Sequence, residues 1–150
     1  LKHLMQNMHE ATQYLAFKLN GQEEIDTQWS IPERHEIASH IYESFSGNTQ
    51  ATYAIAQHFY EILNKEHESN APKNVLTTIE RNNIAHDLSY WLDRCHRQGH
   101  EQSWLLYARS YQNKFLKLPA NEMLDDYYKT ALKYDSDGQA SYAFALYLYL

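Results

Sequence analysis

The chain has 150 residues, which is enough for one domain with its own core but too few for two. Hydrophobic residues make up 43% and charged residues 21%, a balance typical of a folded globular protein rather than a disordered one. The formal net charge is −6 and no lysine- and arginine-rich run is present, so the sequence lacks the basic footprint that binding to nucleic acid requires. No apolar run is long enough to predict a membrane span.

Apolar residues recur at helical spacing along most of the chain. With 13 tyrosines against 4 glycines and 3 prolines, there are large rings to bury and few turn residues, which favours helices over many short strands. Gly21, Gly47, Gly99 and Gly138 each follow a predicted helix, where a left-handed C-cap is favourable. In chain order, the predicted helices are 2–19, 33–46, 49–64, 80–97, 101–114, 121–134 and 138–150.

Two side-chain patterns alternate along these helices. Helices of the first kind carry two small residues five apart and a large apolar residue three further on, whereas helices of the second kind carry an aromatic-rich stripe. Small side chains let a neighbouring helix approach closely, and large ones fill the space beside them. The first pattern covers 11–19, 51–59, 103–111 and 140–148, and the second covers 38–45, 88–95 and 124–131.

The alternation defines a repeat. The alanines that anchor the first pattern, Ala16, Ala56, Ala108 and Ala145, lie 40, 52 and 37 residues apart. Such periods are typical of solenoids built from helix pairs. The longest unit owes its extra length to a polar stretch that runs from residue 66 to Pro72, and this stretch is predicted to be a loop because proline interrupts helices.

The clearest unit of the repeat spans residues 88–111 and reads Leu88-x-x-Trp91-Leu92-x-x-Cys95-x-x-Gln98-Gly99-His100, followed by Ser103-x-x-x-x-Ala108-x-x-Tyr111. This segment resembles the second helix, the turn and the next first helix of Sel1-like repeats, and residues 47–53 and 124–131 fit the same scheme. The resemblance implies an all-α fold, an α/α solenoid related to tetratricopeptide arrays, with about three and a half units. These units form one domain over 1–150, at about 5–46, 49–98, 101–135 and, in part, 138–150.

The resemblance also implies a function. Such proteins are usually bacterial in multi-repeat form, serve as adaptors or scaffolds and share no catalytic residues; many are exported, so the compartment stays open. We therefore expect a non-enzymatic scaffold that binds a protein or peptide on its concave face, without a cofactor. The candidate contacts are Gln57, Tyr60, Trp104 and Tyr107, because they lie on helices of the first kind beside the buried stripe. The aromatic residues on the stripes are expected in the core: Tyr53, Phe59, Trp91, Tyr111, Tyr127 and Tyr142.

A hydrolase with a His/Asp or metal site is the first alternative. His35 and His40 are five residues apart, so on a helix the second ring is rotated by about 100° from the position that a shared zinc ion needs. Between His96 and His100, Gly99 is expected to end the helix. Cys95 lies among apolar residues and is expected to be a buried small hydrophobe. The sequence thus predicts no catalytic or metal-binding residue.

Self-assembly is the second alternative. The last predicted helix contains Tyr147, Leu148 and Tyr149 and has no following partner helix in the repeat. An uncapped repeat exposes an apolar face, which terminal repeats normally avoid. We therefore expect either that the protein continues beyond this helix or that the helix docks on another chain, which would make a homo-oligomer.

Overall fold

The computed structural model of the chain describes residues 31–68 and 76–149, with side chains from residue 36 onward. Over these ranges it contains six α-helices and no strand, which confirms the all-α class. The predicted helix 2–19 lies outside the described residues. Within them, no helix combines the length and the apolar character needed to cross a membrane. The helices are α1 (Ile31–Phe45), α2 (Thr49–Glu68), α3 (Thr78–Arg97), α4 (Ser103–Gln112), α5 (Leu124–Lys133) and α6 (Gln139–Tyr149).

Helix α2 is longer than predicted, because polar residues that the sequence places in a loop continue it to Glu68. Glu66 forms an ion pair with Arg81 of α3. The ring of His67 lies edge-on to Phe115, with 5.7 Å between ring centroids. Tertiary partners therefore extend the helix by one turn into a segment that composition alone marks as loop.

The ends of α3 and α4 share one backbone motif. After α3, Gly99 adopts a φ of +76°, and the N–H of His100 donates to the carbonyl five residues earlier at 3.0 Å. After α4, Lys114 adopts a φ of +61°, and the N–H of Phe115 donates in the same way at 2.9 Å. Both ends are Schellman motifs, whose left-handed position favours glycine. The structure thus confirms Gly99 as the end of a helix and adds an unpredicted left-handed lysine.

Three helices begin at side-chain caps, and at the first of them, α2, Asn48 Oδ1 accepts the Ala51 N–H at 3.1 Å. The Thr77 hydroxyl accepts a hydrogen bond from the Glu80 N–H at 3.1 Å and caps α3. The Asp135 carboxylate accepts the N–H groups of Gly138 (3.1 Å) and Ala140 (3.3 Å) and both the N–H (3.1 Å) and the hydroxyl (2.6 Å) of Ser141. These bonds satisfy N–H groups that the first turn of a helix leaves without backbone partners.

The chain divides into two compact units, Leu1–Ile55 and Ala56–Leu150. In the first, the described part comprises α1 and the first turns of α2. Two fully buried hydroxyls, those of Ser44 on α1 and Thr52 on α2, hydrogen-bond to each other, so neither is left unsatisfied in the apolar interior. In the described part of this unit, the buried apolar residues are Ile37, Ile41, Phe45, Ala51 and Ile55.

In the second unit, consecutive helices pack on one another: α3 on α4, α4 on α5 and α5 on α6. The predicted stripe of α3 is fully buried, and its members are Leu88, Trp91, Leu92 and Cys95. Ala108 of α4, Tyr128 of α5 and Ala143 of α6 form one buried cluster. Small residues on two helices thereby make room for one large ring on a third.

Helix α6 presents a different face from the one predicted. Ala140 is buried, but Tyr142 is 67% exposed, and Ala145 and Leu148 are exposed as well. The buried side contains Ala143 instead, and Phe144 and Tyr147 pack against the same cluster around Tyr128. Because α6 carries no charged residue, its sequence contains two competing apolar faces, and contact with α5 selects between them.

Candidate functional site

Five rings meet where α3, α4 and α5 come together, and we call this group the aromatic patch. Trp104, Tyr107 and Tyr111 belong to α4, where a spacing of three and four residues puts them on the same side of the helix. Tyr127 is contributed by α5 and His96 by the last turn of α3.

The rings of the aromatic patch contact each other in sequence along α4. Ring centroids are 6.1 Å apart for Trp104 and Tyr107, and 6.0 Å apart for Tyr107 and Tyr111. The Tyr127 ring lies 4.9 Å from Tyr111 and 5.9 Å from both Tyr107 and Trp104. His96 lies edge-on to Trp104 at 4.9 Å. Such separations are those of favourable aromatic pairs, so each ring restricts the motion of the next.

Exposure differs across the patch. Tyr107 is only 7% exposed and forms its base. Trp104, Tyr111 and Tyr127 are half-buried, and His96 is exposed. Parts of the Trp104, Tyr111 and Tyr127 rings are therefore exposed to solvent, and the Tyr107 ring lies buried beneath them.

Two exposed carboxylates border the patch. The Tyr107 hydroxyl donates to Asp93 Oδ1 at 2.5 Å, and the Tyr127 hydroxyl donates to Glu122 Oε2. Burial raises the pKa of Tyr107, and Asp93 raises it further. Burial and then Glu122 raise the pKa of Tyr127 in the same way. Both phenols therefore stay protonated at neutral pH and hold the carboxylates in fixed positions.

The two carboxylates act on a common ring. Burial raises the pKa of the Tyr111 phenol, interaction with the Tyr127 hydroxyl lowers it, and the charges of Glu122 and Asp93 raise it. Asp93 is bonded to Tyr107 and Glu122 to Tyr127, and these two rings lie 5.9 Å apart, so the two carboxylates border the same part of the patch. The result is a surface that combines ring faces with negative charge.

The structure brings together two of the four predicted contact residues, Trp104 and Tyr107. Tyr60 belongs to another ring group: its ring lies 5.5 Å from Phe115, and its hydroxyl accepts a hydrogen bond from Asn113 Nδ2 at 3.1 Å. Gln57 is exposed on α2.

Three residues of the patch differ in burial from the sequence prediction. Tyr111 and Tyr127 lie on the predicted stripes, yet both are half-exposed, whereas Tyr107 was expected beside the stripe and is buried. The spacing of residues 104, 107 and 111 along one helix is a signal that could have identified them as a group. It does not reveal Tyr127, which reaches the patch only through the packing of α5 on α4.

Two residues considered for catalysis or metal binding, Cys95 and His100, are buried. Burial raises the pKa of the fully buried Cys95 thiol to about 12, so the thiol is neutral at physiological pH. His100 is also buried, and desolvation lowers the pKa of its ring. The His35 side chain lies outside the described residues. Among those described, no three histidine, cysteine or acidic side chains are grouped as metal ligands.

Comparisons with protein-family models, with curated proteins and with solved structures find no match to this chain.

Proposed function

We propose that this chain is a non-enzymatic binding module of the Sel1-like, tetratricopeptide-related kind, and that the aromatic patch binds a segment of a protein or peptide partner. The observation that carries the proposal is the contiguous exposure of Trp104, Tyr111 and Tyr127 above the buried ring of Tyr107. Tyrosine and tryptophan supply large contact areas with few rotatable bonds, which is why they dominate the energetics of interfaces.

Mutual packing of the rings further supports a binding role. A partner that orders mobile side chains loses part of its affinity to their lost entropy, and rings already held at 4.9–6.1 Å from their neighbours avoid much of that loss. Tyr107 and Tyr127 are further fixed by their hydrogen bonds to Asp93 and Glu122. The patch is thus shaped before the partner arrives.

Two features of the second unit support a helical repeat as its framework. First, α3 packs on α4, α4 on α5 and α5 on α6. In addition, Ala108 and Ala143, from helices of the first kind in successive units, share a cluster with Tyr128 from the helix between them. This is the arrangement expected when successive helix pairs bury their faces only by stacking.

Selection of peptides from a random display library tests the binding role. Peptides enriched on the protein should lose affinity by about tenfold or more for Trp104→Ser, as expected for a central aromatic contact. Tyr142→Ser is the matched control, because Tyr142 is a 67% exposed aromatic residue on α6, outside the patch. Equal affinities for the two variants, with both folded by circular dichroism, would rule the patch out as the binding surface.

The same selected peptides read out the other predicted contacts. Gln57→Ala and Tyr60→Phe weaken binding if the partner also follows α2, where both residues lie. Tyr60→Phe keeps the ring beside Phe115 and removes only the hydroxyl that accepts from Asn113. If neither variant changes affinity, the contact surface is confined to the aromatic patch.

Self-assembly through α6 is a second candidate, because the outward face of this helix is apolar. Tyr142 is 67% exposed, Leu148 60% and Tyr149 91%. If that face associates with a second copy, sizing chromatography should show a dimer that Tyr142→Glu converts to a monomer. Tyr147 is a poor choice for this substitution because its ring packs against Tyr128 at 5.0 Å. A monomer at all concentrations would remove this candidate.

A further inference from the structure

We propose that the partner anchors itself on the aromatic patch through an arginine side chain, whose guanidinium lies against the rings while it contacts Asp93 and Glu122. This inference rests on the proposed function, because it names the chemistry of the segment that the patch binds.

The aromatic patch is negative for two independent reasons. The face of an aromatic ring carries the negative part of its quadrupole and attracts cations, most strongly for tryptophan and next for tyrosine. The exposed carboxylates of Asp93 and Glu122 add full negative charges at the border. Asp93 and Glu122 are hydrogen-bonded to Tyr107 and Tyr127, whose ring centroids are 5.9 Å apart, so both carboxylates adjoin the same pair of rings.

The carboxylates keep acceptor capacity while they are held in place. Asp93 accepts the Tyr107 phenol through Oδ1, and Glu122 accepts the Tyr127 phenol through Oε2. An ionised carboxylate has two oxygens that each accept more than one hydrogen bond, so one phenol does not saturate it. A donor from a partner can therefore bind a carboxylate whose orientation is already set.

Among donors, the guanidinium fits both parts of the patch. It is planar and weakly hydrated, so it stacks on aromatic faces, and its five N–H groups donate to carboxylates in a fixed fork. The ammonium of lysine is a compact, strongly hydrated point charge that satisfies the carboxylates but gains less from the rings. A purely apolar anchor would leave the charges of Asp93 and Glu122 uncompensated at the edge of the contact.

The test uses three short peptides with identical glycine–serine flanks and three central arginines, lysines or glutamates. Binding is followed by nuclear magnetic resonance at the indole N–H of Trp104. The chain has 3 tryptophans, and the signal of Trp104 is assigned by its loss in Trp104→Phe. We expect the arginine peptide to shift this signal, with an affinity about three- to tenfold above that of the lysine peptide. The glutamate peptide should leave the signal in place.

Charge variants separate this inference from the proposed function. In the double variant Asp93→Asn plus Glu122→Gln, both amides still accept the phenol hydrogen bonds, so the patch keeps its shape. The arginine peptide should then bind about fivefold or more weakly. Glu61→Gln is the matched control, since Glu61 is an exposed carboxylate of α2; it should bind the arginine peptide as the unmodified protein does.

Several outcomes would overturn the inference. Equal binding of the arginine and glutamate peptides, unchanged affinity in the double variant, or no shift with the arginine peptide would each do so. None of these decides whether the patch binds a partner, because display-selected peptides that depend on Trp104 would still establish it. Loss of that dependence would instead overturn the proposed function itself.

Discussion

At the scale of single residues, Lys114 occupies a backbone position that glycine fills at the end of the preceding helix. Its φ is +61°, against +76° for Gly99. The left-handed conformation costs a residue with a Cβ about 1–2 kcal/mol. Glycine avoids this cost but keeps only part of the gain, because it also increases the conformational entropy of the unfolded chain. Lys114→Gly should therefore raise the free energy of unfolding by about 0.5–1 kcal/mol in urea titrations. Gly99→Ala should lower it, and a loss of stability in Lys114→Gly would contradict this account of the α4 end.

The raised pKa values of the patch phenols predict that the free energy of unfolding depends on pH in the alkaline range. Burial raises the folded-state pKa of Tyr107, Tyr111 and Tyr127 above that of an unfolded tyrosine. Below the unfolded value of about 10, both states keep their protons and the stabilisation is complete. As the pH rises above that value, the unfolded chain loses protons first, so the free energy of unfolding should fall. Urea titrations at increasing pH should show a shallower fall in Tyr107→Phe, and an equal fall in that variant and the unmodified protein would contradict this account.

At the scale of the element, the start of α6 depends on one carboxylate. Hydrogen bonds from the Ser141 hydroxyl, and then from the backbone N–H groups of Ser141, Ala140 and Gly138, hold the pKa of Asp135 below its usual range. The contribution of this cap is complete above the unfolded pKa of about 3.9 and is lost as the pH falls through the lower folded value. Asp135→Ala should speed hydrogen exchange of the α6 amides at neutral pH. Asp137→Ala removes the same charge but only one N–H contact, at 3.1 Å to Gln139, and should speed exchange less.

Helices and their ends were largely predictable from the sequence because the signals are local. Apolar spacing located the six described helices, and glycine marked the left-handed residue after α3. The predicted end of α2 was wrong, because its last turn depends on contacts of Glu66 with Arg81 and of His67 with Phe115. These partners are distant in sequence. The site was predictable only in part for the same reason: Trp104 and Tyr107 share one helix, whereas Tyr127 joins them through tertiary packing.

At the scale of the whole molecule, a repeat requires that equivalent positions have equivalent surroundings. Ala56 and Ala108, which anchor two helices of the first kind, are both fully buried. Ala145 has the same place in the pattern but is exposed, because α6 turns Ala143 towards Tyr128 instead. The regular period of the sequence therefore overstates the regularity of the packing at α6. The free energies of unfolding of substituted proteins can measure this difference.

Substitution by leucine of the three anchor alanines that lie in the described residues should separate these positions. Ala108→Leu forces extra methyl groups into the cluster with Tyr128 and Ala143, and overpacking of this kind costs about 1–3 kcal/mol. Ala56→Leu should cost a similar amount, since that residue is equally buried. Ala145→Leu adds the same atoms at an exposed position and should change the free energy of unfolding by less than about 0.5 kcal/mol. Urea titrations of the three variants measure these differences. Equal costs at all three positions would mean that Ala145 is as closely packed as Ala56 and Ala108, and would contradict the exposed position of Ala145 on α6.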